Sequence, residues 1–296
     1  MPIHAGAPVV VGADGSASAM RAVEYAATEA ALRHRPLLIL HAYAWPPAGV
    51  AYSTALAATA DATLRRAADD ILQDAAWHAA RTAPAITCST RAVTGDPATV
   101  LLELSEQANV LVLGARGSGG FAEMMVGSVA AHVTPHAACP VAVVRGSVTS
   151  GPVVAGVDGS PGSAAALDFA ADEADRRGTE LVAVHAWTTA GGTGLDDGLP
   201  AGRRSGGSAE EHHRVLAEAL AGIAERHPDL TVHGEVRHGL ARQVLTARSD
   251  HAQLIVVGSR GHGGVTGLMM GSVSQHLIYR AACPVAVVRA VPVAAA

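Results

Sequence analysis

GARGSGGFAEMMVGS, residues 114–128, follows the apolar run VLVL and sets five glycines among its fifteen positions. GSRGHGGVTGLMMGS, residues 258–272, repeats the pattern 144 residues later, after LIVV. A glycine-dense loop between an apolar strand and a helical stretch lets backbone N–H groups turn inward and approach a ligand closely.

The offset of 144 governs the rest of the chain. VVVGADGS (9–16) returns as VVAGVDGS (153–160), and ACPVAVVR (138–145) returns unchanged at 282–289. LLILHAYAW returns as LVAVHAWTT, which sets His41 against His185. The halves align without net insertion from about residue 9 to residue 289. One domain is used twice, and it is much longer than a solenoid repeat. The expected domains are 1–146 and 152–296, joined by the short segment GSVTSGP.

Within each half, strand and helix patterns alternate. PVVVGAD reads as a buried strand, and the stretch from Ser16 as a serine-capped helix. PLLILHAY, ITCSTRAV, NVLVLG and CPVAVVR read as four further strands. TADATLRRAADDILQDAAWHAAR reads as a helix between two of them. GDPATVLLELSEQ reads as a helix with Asp96 as N-cap and Pro97 in its first turn. EMMVGSVAAHVTPH (123–136) reads as a helix that contains Gly127, where glycine costs about 1 kcal/mol relative to alanine. A phosphate approached closely by that backbone would account for the glycine. Short apolar strands separated by helices imply an α/β class, with two tandem doubly wound five-stranded parallel sheets. AWPPAGVAYSTALAA and GGTGLDDGLPAGRRSGGS, each after the second strand, read either as lids or as variable surface loops.

Composition narrows the function. The formal net charge of −5 gives no electrostatic reason for nucleic-acid or membrane partners. No apolar run reaches the length of a membrane span, and the start of the chain has no signal-peptide pattern, so a cytoplasmic protein is expected. Cys88, Cys139 and Cys283 form no CxxC pair and no disulfide framework, and the cysteines of the two CPVAVVR segments read as small buried residues. All 21 basic residues are arginine. That removes the P-loop lysine, the Schiff-base lysine and the kinase lysine together.

In an open α/β sheet a ligand sits at the carboxyl ends of the strands, near the switch point. Two loops of each half converge there: the G-x-DGS turn and the glycine loop. The loop matches neither GxGxxG nor the Walker pattern; both copies match G-x2-G-x9-G-[ST]. Asp14 and Asp158 have two open roles, as turn formers or as acceptors for ribose hydroxyls or a metal-bound water. Ser128 and Ser272 would either donate to phosphate or cap a helix, and Arg116 and Arg260 would either offset phosphate charge or only solubilise. His41 and His185 read first as buried, hydrogen-bonded histidines.

Through its DGS turns, the doubled glycine motif and the CPVAVV ends, nearly the whole chain resembles a tandem universal stress protein of the ATP-binding subclass, of actinobacterial type. The resemblance implies Rossmann-like domains of the adenine nucleotide alpha hydrolase-like kind and ATP with magnesium as cofactor. The implied cofactor-binding residues of the first half are Gly12, Asp14, Gly114, Ala115, Arg116, Gly117, Ser118, Gly119, Gly120, Gly127, Ser128 and Val129. Those of the second half are Gly156, Asp158, Gly258, Ser259, Arg260, Gly261, His262, Gly263, Gly264, Gly271, Ser272 and Val273. No metal ligand and no catalytic residue is assigned. In the family the fifth strand is an edge that pairs across a two-fold axis, so the duplication implies an intramolecular pseudo-dimer, with a further homodimer open.

Phosphoryl transfer needs a base or a water-positioning residue. The first glycine loop offers only Glu123 and the second offers no acid; His262 faces Ser118 across the repeat, so no shared catalytic histidine exists. The expected function is a nucleotide-dependent stress-response regulator with slow or absent hydrolysis. A slow ATPase or nucleotidyl-transferring enzyme of the same fold, and a nucleotide-independent dimeric scaffold, are the alternatives.

Overall fold

The structure is a computed structural model that describes residues 6–43, 54–117, 126–146, 150–188, 208–262 and 270–290. The chain divides into two units, residues 1–144 and 145–296.

The first unit runs β1 (Val9–Gly12), α1 (Ala17–Leu32), β2 (Leu37–Tyr43), α2 (Thr54–Thr82), β3 (Cys88–Thr94), α3 (Pro97–Ser105), β4 (Val110–Gly114), α4 (Ser128–His136) and β5 (Val141–Val144). Its sheet order is β3-β2-β1-β4-β5, and every pairing is parallel. The second unit runs β6 (Val153–Gly156), α5 (Pro161–Arg177), β7 (Leu181–Trp187), α6 (Ala209–Leu220), α7 (Ile223–Arg226), β8 (Val232–His238), α8 (Ala241–Arg248), β9 (Leu254–Gly258), α9 (Ser272–Arg280) and β10 (Val285–Val288). Its order is β8-β7-β6-β9-β10, again all parallel. The expected pair of doubly wound five-stranded sheets is present.

The repeat holds at the level of register. Val9 pairs with Leu37 and Val110 in the first unit, and Val153 pairs with Leu181 and Leu254 in the second. The reason lies in β1, β4, β5 and their copies, which are short valine-rich strands with side chains buried on both faces. A slip of one residue would exchange the faces that fit α1 and α4. β3 departs from this pattern: it forms the margin of its sheet, and its side chains are largely exposed.

At the amino ends of the strands, a buried ion pair locks helix to sheet in each unit. Arg33 Nε donates to Glu29 at 3.0 Å and Arg33 Nη1 to Asn109 Oδ1 at 2.8 Å. In the second unit Arg177 bonds Glu173 at 3.3 Å and Gln253 Oε1 at 3.2 Å. Glu29 and Glu173 are buried, so each charge needs its partner.

Several boundaries differ from expectation. α4 begins at Ser128 with Gly127 as its extended N-cap (φ −71°, ψ 154°), not inside the helix. Gly271 does the same for α9. The supposed cost of a mid-helix glycine therefore does not arise. α2 begins at Thr54, within the stretch read as a lid or loop. Residues 44–53 of the first segment and 191–207 of the second lie outside the described residues, and Ser208, which ends the second, caps α6. Asp96 caps α3 as expected, accepting from the Thr99 N–H at 2.9 Å, with Pro97 in the first turn. Among the described residues no helix is long and apolar enough to cross a membrane.

Candidate functional site

At the carboxyl end of β1 the Ala13 N–H makes the last sheet bond, to Leu40 at 2.8 Å, and the chain then turns through Asp14 and Gly15. Gly15 has φ +80°, a left-handed conformation that glycine adopts without strain. The turn closes when the Ser16 N–H donates to Asp14 Oδ1 at 3.0 Å, and the Ser16 hydroxyl caps α1 by accepting from the Ala19 N–H. The second unit repeats this at Asp158, Gly159 (φ +81°) and Ser160. The aspartates are therefore turn formers, with their second carboxylate oxygen aimed elsewhere.

That oxygen meets the glycine loop. A Cβ on Gly117 would lie 2.7 Å from Asp14 Oδ2, and one on Gly261 would lie closer still to Asp158 Oδ2. The His262 N–H donates to Asp158 Oδ2 at 3.0 Å. Glycine at 117 and 261 is thus required by the approach of loop backbone to carboxylate. Gly114 has a different reason: a Cβ there would press on the Ser18 backbone at 2.9 Å, as one on Gly258 would on Gly162 at 2.8 Å. Gly127 and Gly271 close the loop from its far end. Their N–H groups donate to Ala115 and Ser259 at 2.8 and 2.7 Å, which seats the first turns of α4 and α9 beside residues 116–117 and 260.

The remaining positions divide. Ala115 and Ser259 are buried, and their N–H groups bond β5 and β10, so they anchor the loop. Arg116 and Arg260 have exposed side chains, and the Arg116 N–H is held by Ser18 Oγ at 3.2 Å. Ser128 and Ser272 are exposed first residues of helices capped by glycine, so neither is itself the cap. Val129 and Val273 follow, half-buried. Gly12 and Gly156 face apolar side chains: a Cβ would touch Leu113 and Leu101 in one unit, Leu245 and Val257 in the other. Packing alone accounts for them. Ser118, Gly119, Gly120, Gly263 and Gly264 lie outside the described residues.

Electrostatics favour an ionised carboxylate. Burial raises the Asp158 carboxyl, but the Ser160 hydroxyl at 2.6 Å, the Ser160 N–H and the His262 N–H together outweigh it and hold its pKa below the usual value. The helices α4 and α9 start on residues with no side chain to accept their first N–H groups, so each presents an uncapped positive end to the glycine loop of its own unit. Among the described residues no group of three or more His, Cys, Asp or Glu is arranged to hold a metal ion.

His41 and His185 are hydrogen-bonded histidines, as read from the sequence. Their Nδ1 atoms lie 2.7 and 2.8 Å from the carbonyls of Ala13 and Val157. Sequence reasoning missed Ser18, which has no counterpart hydroxyl at Gly162, and His212, which stands where the first half has Ala68. Laying the halves over one another at 144 would have shown both.

The universal stress protein family model matches residues 7–145 and again residues 150–289. A universal stress protein of Mycolicibacterium smegmatis is 36% identical over 291 residues, covering 95% of this chain and 96% of its own length. A universal stress protein of Mycobacterium tuberculosis strain H37Rv is 36% identical over 292 residues, with the same coverage. The crystal structure of a universal stress protein from Archaeoglobus fulgidus superposes with a TM-score of 0.66 at 21% identity, over 96% of this chain and 98% of that one, which is a likeness of fold. With both halves matched by the same model and full-length relatives above 30% identity, this chain belongs to the universal stress protein family.

Proposed function

We propose that each unit binds ATP with magnesium at the carboxyl ends of its strands, and that the protein acts as a nucleotide-dependent regulator of a stress response. The observation that carries this reading is the meeting of three groups at one place in both units: an aspartate carboxylate, glycine backbone pressed against it, and a glycine-capped helix N-terminus. The set suits a nucleotide. Asp14 and Asp158 would accept ribose hydroxyls. The first-turn N–H groups of α4 and α9, with the exposed hydroxyls of Ser128 and Ser272, would donate to phosphate oxygens. Arg116 and Arg260, exposed at the loop, would offset phosphate charge. Magnesium would supply charge neutralisation on the phosphates.

The same geometry argues for slow or absent hydrolysis. A general base should have a pKa near the working pH. Asp158 is held below the ordinary carboxylate range by three donors, so it is an acceptor and a poor base. Binding would then be read out as a change of conformation or assembly.

The test is to denature freshly purified protein and identify the released nucleotide by chromatography and mass spectrometry, alongside Gly117→Ala, Gly261→Ala and the double variant. Each alanine would place a methyl group against a carboxylate oxygen and displace the loop. The expected result is one ATP per unit, lost unit by unit. Absence of nucleotide, with no binding on addition of magnesium ATP, overturns the reading.

A further inference from the structure

The second unit contains a hydrogen-bonded pair of imidazoles with no counterpart among the described residues of the first. His185 on β7 and His212 on α6 are both buried, at 6% and 4% exposure. His185 Nδ1 faces the Val157 carbonyl at 2.8 Å, and His185 Nε2 faces His212 Nδ1 at 2.9 Å. A carbonyl only accepts, so in the neutral pair His185 carries its proton on Nδ1, and its Nε2 accepts from the Nδ1–H of His212. The tautomers are thereby fixed, and the chain ends in a lone pair on His212 Nε2. That atom is buried without a hydrogen-bond partner among the described residues. Trp187 stacks on the same ring, centroids 4.7 Å apart at 20°, and His238 meets Trp187 edge-on.

A buried acceptor with no partner among the described residues costs stability that protonation and hydration would relieve. We propose that this relay is an acid sensor confined to the second unit: a proton from solvent bonds to His212 Nε2, the buried pair becomes a cation, and the start of α6 moves off β7 to hydrate it. Among the described residues the surroundings leave little to hold that charge. His185 opposes it, and Glu211 on α6 itself favours it. His238 is the other titratable group, across Trp187. The acids of the adjoining elements are engaged elsewhere: Asp168 with Arg226, Asp172 and Glu173 with Arg176, and Glu235 with Arg237 and Arg248. Burial pushes His212 below the ordinary histidine value. Movement of α6 reaches the aspartate turn, since Val215 lies 3.2 Å from where a Cβ on Gly159 would stand. In the first unit the matching position is Ala68, fully buried, and among the described residues His41 has no imidazole partner.

The coupling to ligand rests on the nucleotide reading above; the sensing does not. In a Trp45→Phe/Trp77→Phe background Trp187 is the sole tryptophan. Its fluorescence, followed from about pH 8 to about pH 5, should show one reversible transition with its midpoint below about 6.5. His212→Ala, which copies the first unit, should abolish the transition, and His238→Gln should leave it. In the unsubstituted protein, nitrogen-15 spectra of the imidazoles should show His212 neutral and protonated on Nδ1 at pH about 7.5. No transition, a transition that survives His212→Ala, or the other tautomer overturns the proposal. Nucleotide retention by the second unit should fall about tenfold or more across the transition, and should not fall in His212→Ala. Should neither unit retain nucleotide at any pH, the functional reading fails while the fluorescence still decides this one.

Discussion

The two units share strand order, register, the aspartate turn and the buried glutamate–arginine pair, yet differ at positions that the repeat places opposite one another. Ser18 Oγ holds the glycine loop of the first unit through the Arg116 N–H. The second unit has Gly162 there, and its loop comes so near that a Cβ would stand 2.5 Å from the Arg260 carbonyl. His34 is left-handed at φ 51°, and its counterpart Gly178 takes nearly the same conformation at φ 58°. Ala68 faces His212. The lesson is that the backbone plan is held by burial of the strands and tolerates such exchanges.

The comparison is tested most severely where the units agree. Glu29→Ala and Glu173→Ala each remove the carboxylate that a buried arginine pairs with, and each should cost its unit about 3–5 kcal/mol, read from urea unfolding. A loss below about 1 kcal/mol in either unit would mean that its pair is not the lock described for the fold. The exchange Ser18→Gly removes one hydrogen bond and should cost about 1 kcal/mol. Its reverse, Gly162→Ser, forces a side chain against backbone and should cost about 1–3 kcal/mol, with the glycine loop displaced. Equal effects of the two exchanges would refute the closer approach in the second unit.

Acid should separate the units. In the folded second unit, burial and His185 lower the pKa of His212, and burial, Arg242 and Arg280 lower that of His276. A group whose folded pKa lies below its unfolded value binds its proton first in the unfolded chain. The stability is therefore complete above the unfolded value of about 6.5 and declines as pH falls toward the folded one. For each histidine, every tenfold by which folding weakens proton binding makes that decline larger by about 1.4 kcal/mol. The buried thiols provide the measurement. Burial pushes Cys139 and Cys283 up to about 12, and both are inaccessible in the folded units. With a disulfide reagent that remains active in acid, Cys88 should label at once, Cys283 next and Cys139 last. Labelling of Cys139 before Cys283 would reverse the order of the units. The smallest expected effect is His34→Gly, which relieves a left-handed non-glycine residue and should raise the stability of the first unit by about 0.5–1 kcal/mol, seen as a higher thermal midpoint.

Much of the site was legible because it is local. Asp14, Gly15 and Ser16 form a turn and cap within three residues, and their chemistry follows from residue type. The reason for each loop glycine was not legible. Gly12, Gly114 and Gly117 look alike in the sequence, yet one faces leucines, one a helix backbone and one a carboxylate. Those neighbours lie up to about a hundred positions away and meet only when β1 and β4 pair. The same holds for Gly127, which as a sequence sits in a helical pattern and as a structure ends the loop, because its N–H is claimed by Ala115.

What the sequence by itself determined is the duplicated α/β plan, since alternating apolar strands and capped helices at a fixed offset leave few other arrangements. It also placed both motifs together at the carboxyl ends of the strands, since each falls after a strand that flanks the switch point. The tertiary structure decided which oxygen of Asp158 accepts from the His262 N–H, which glycines serve packing and which serve approach, and that His185 and His212 share one proton chain. Those outcomes depend on distances between residues far apart in sequence, which burial of the sheet imposes and no local pattern records.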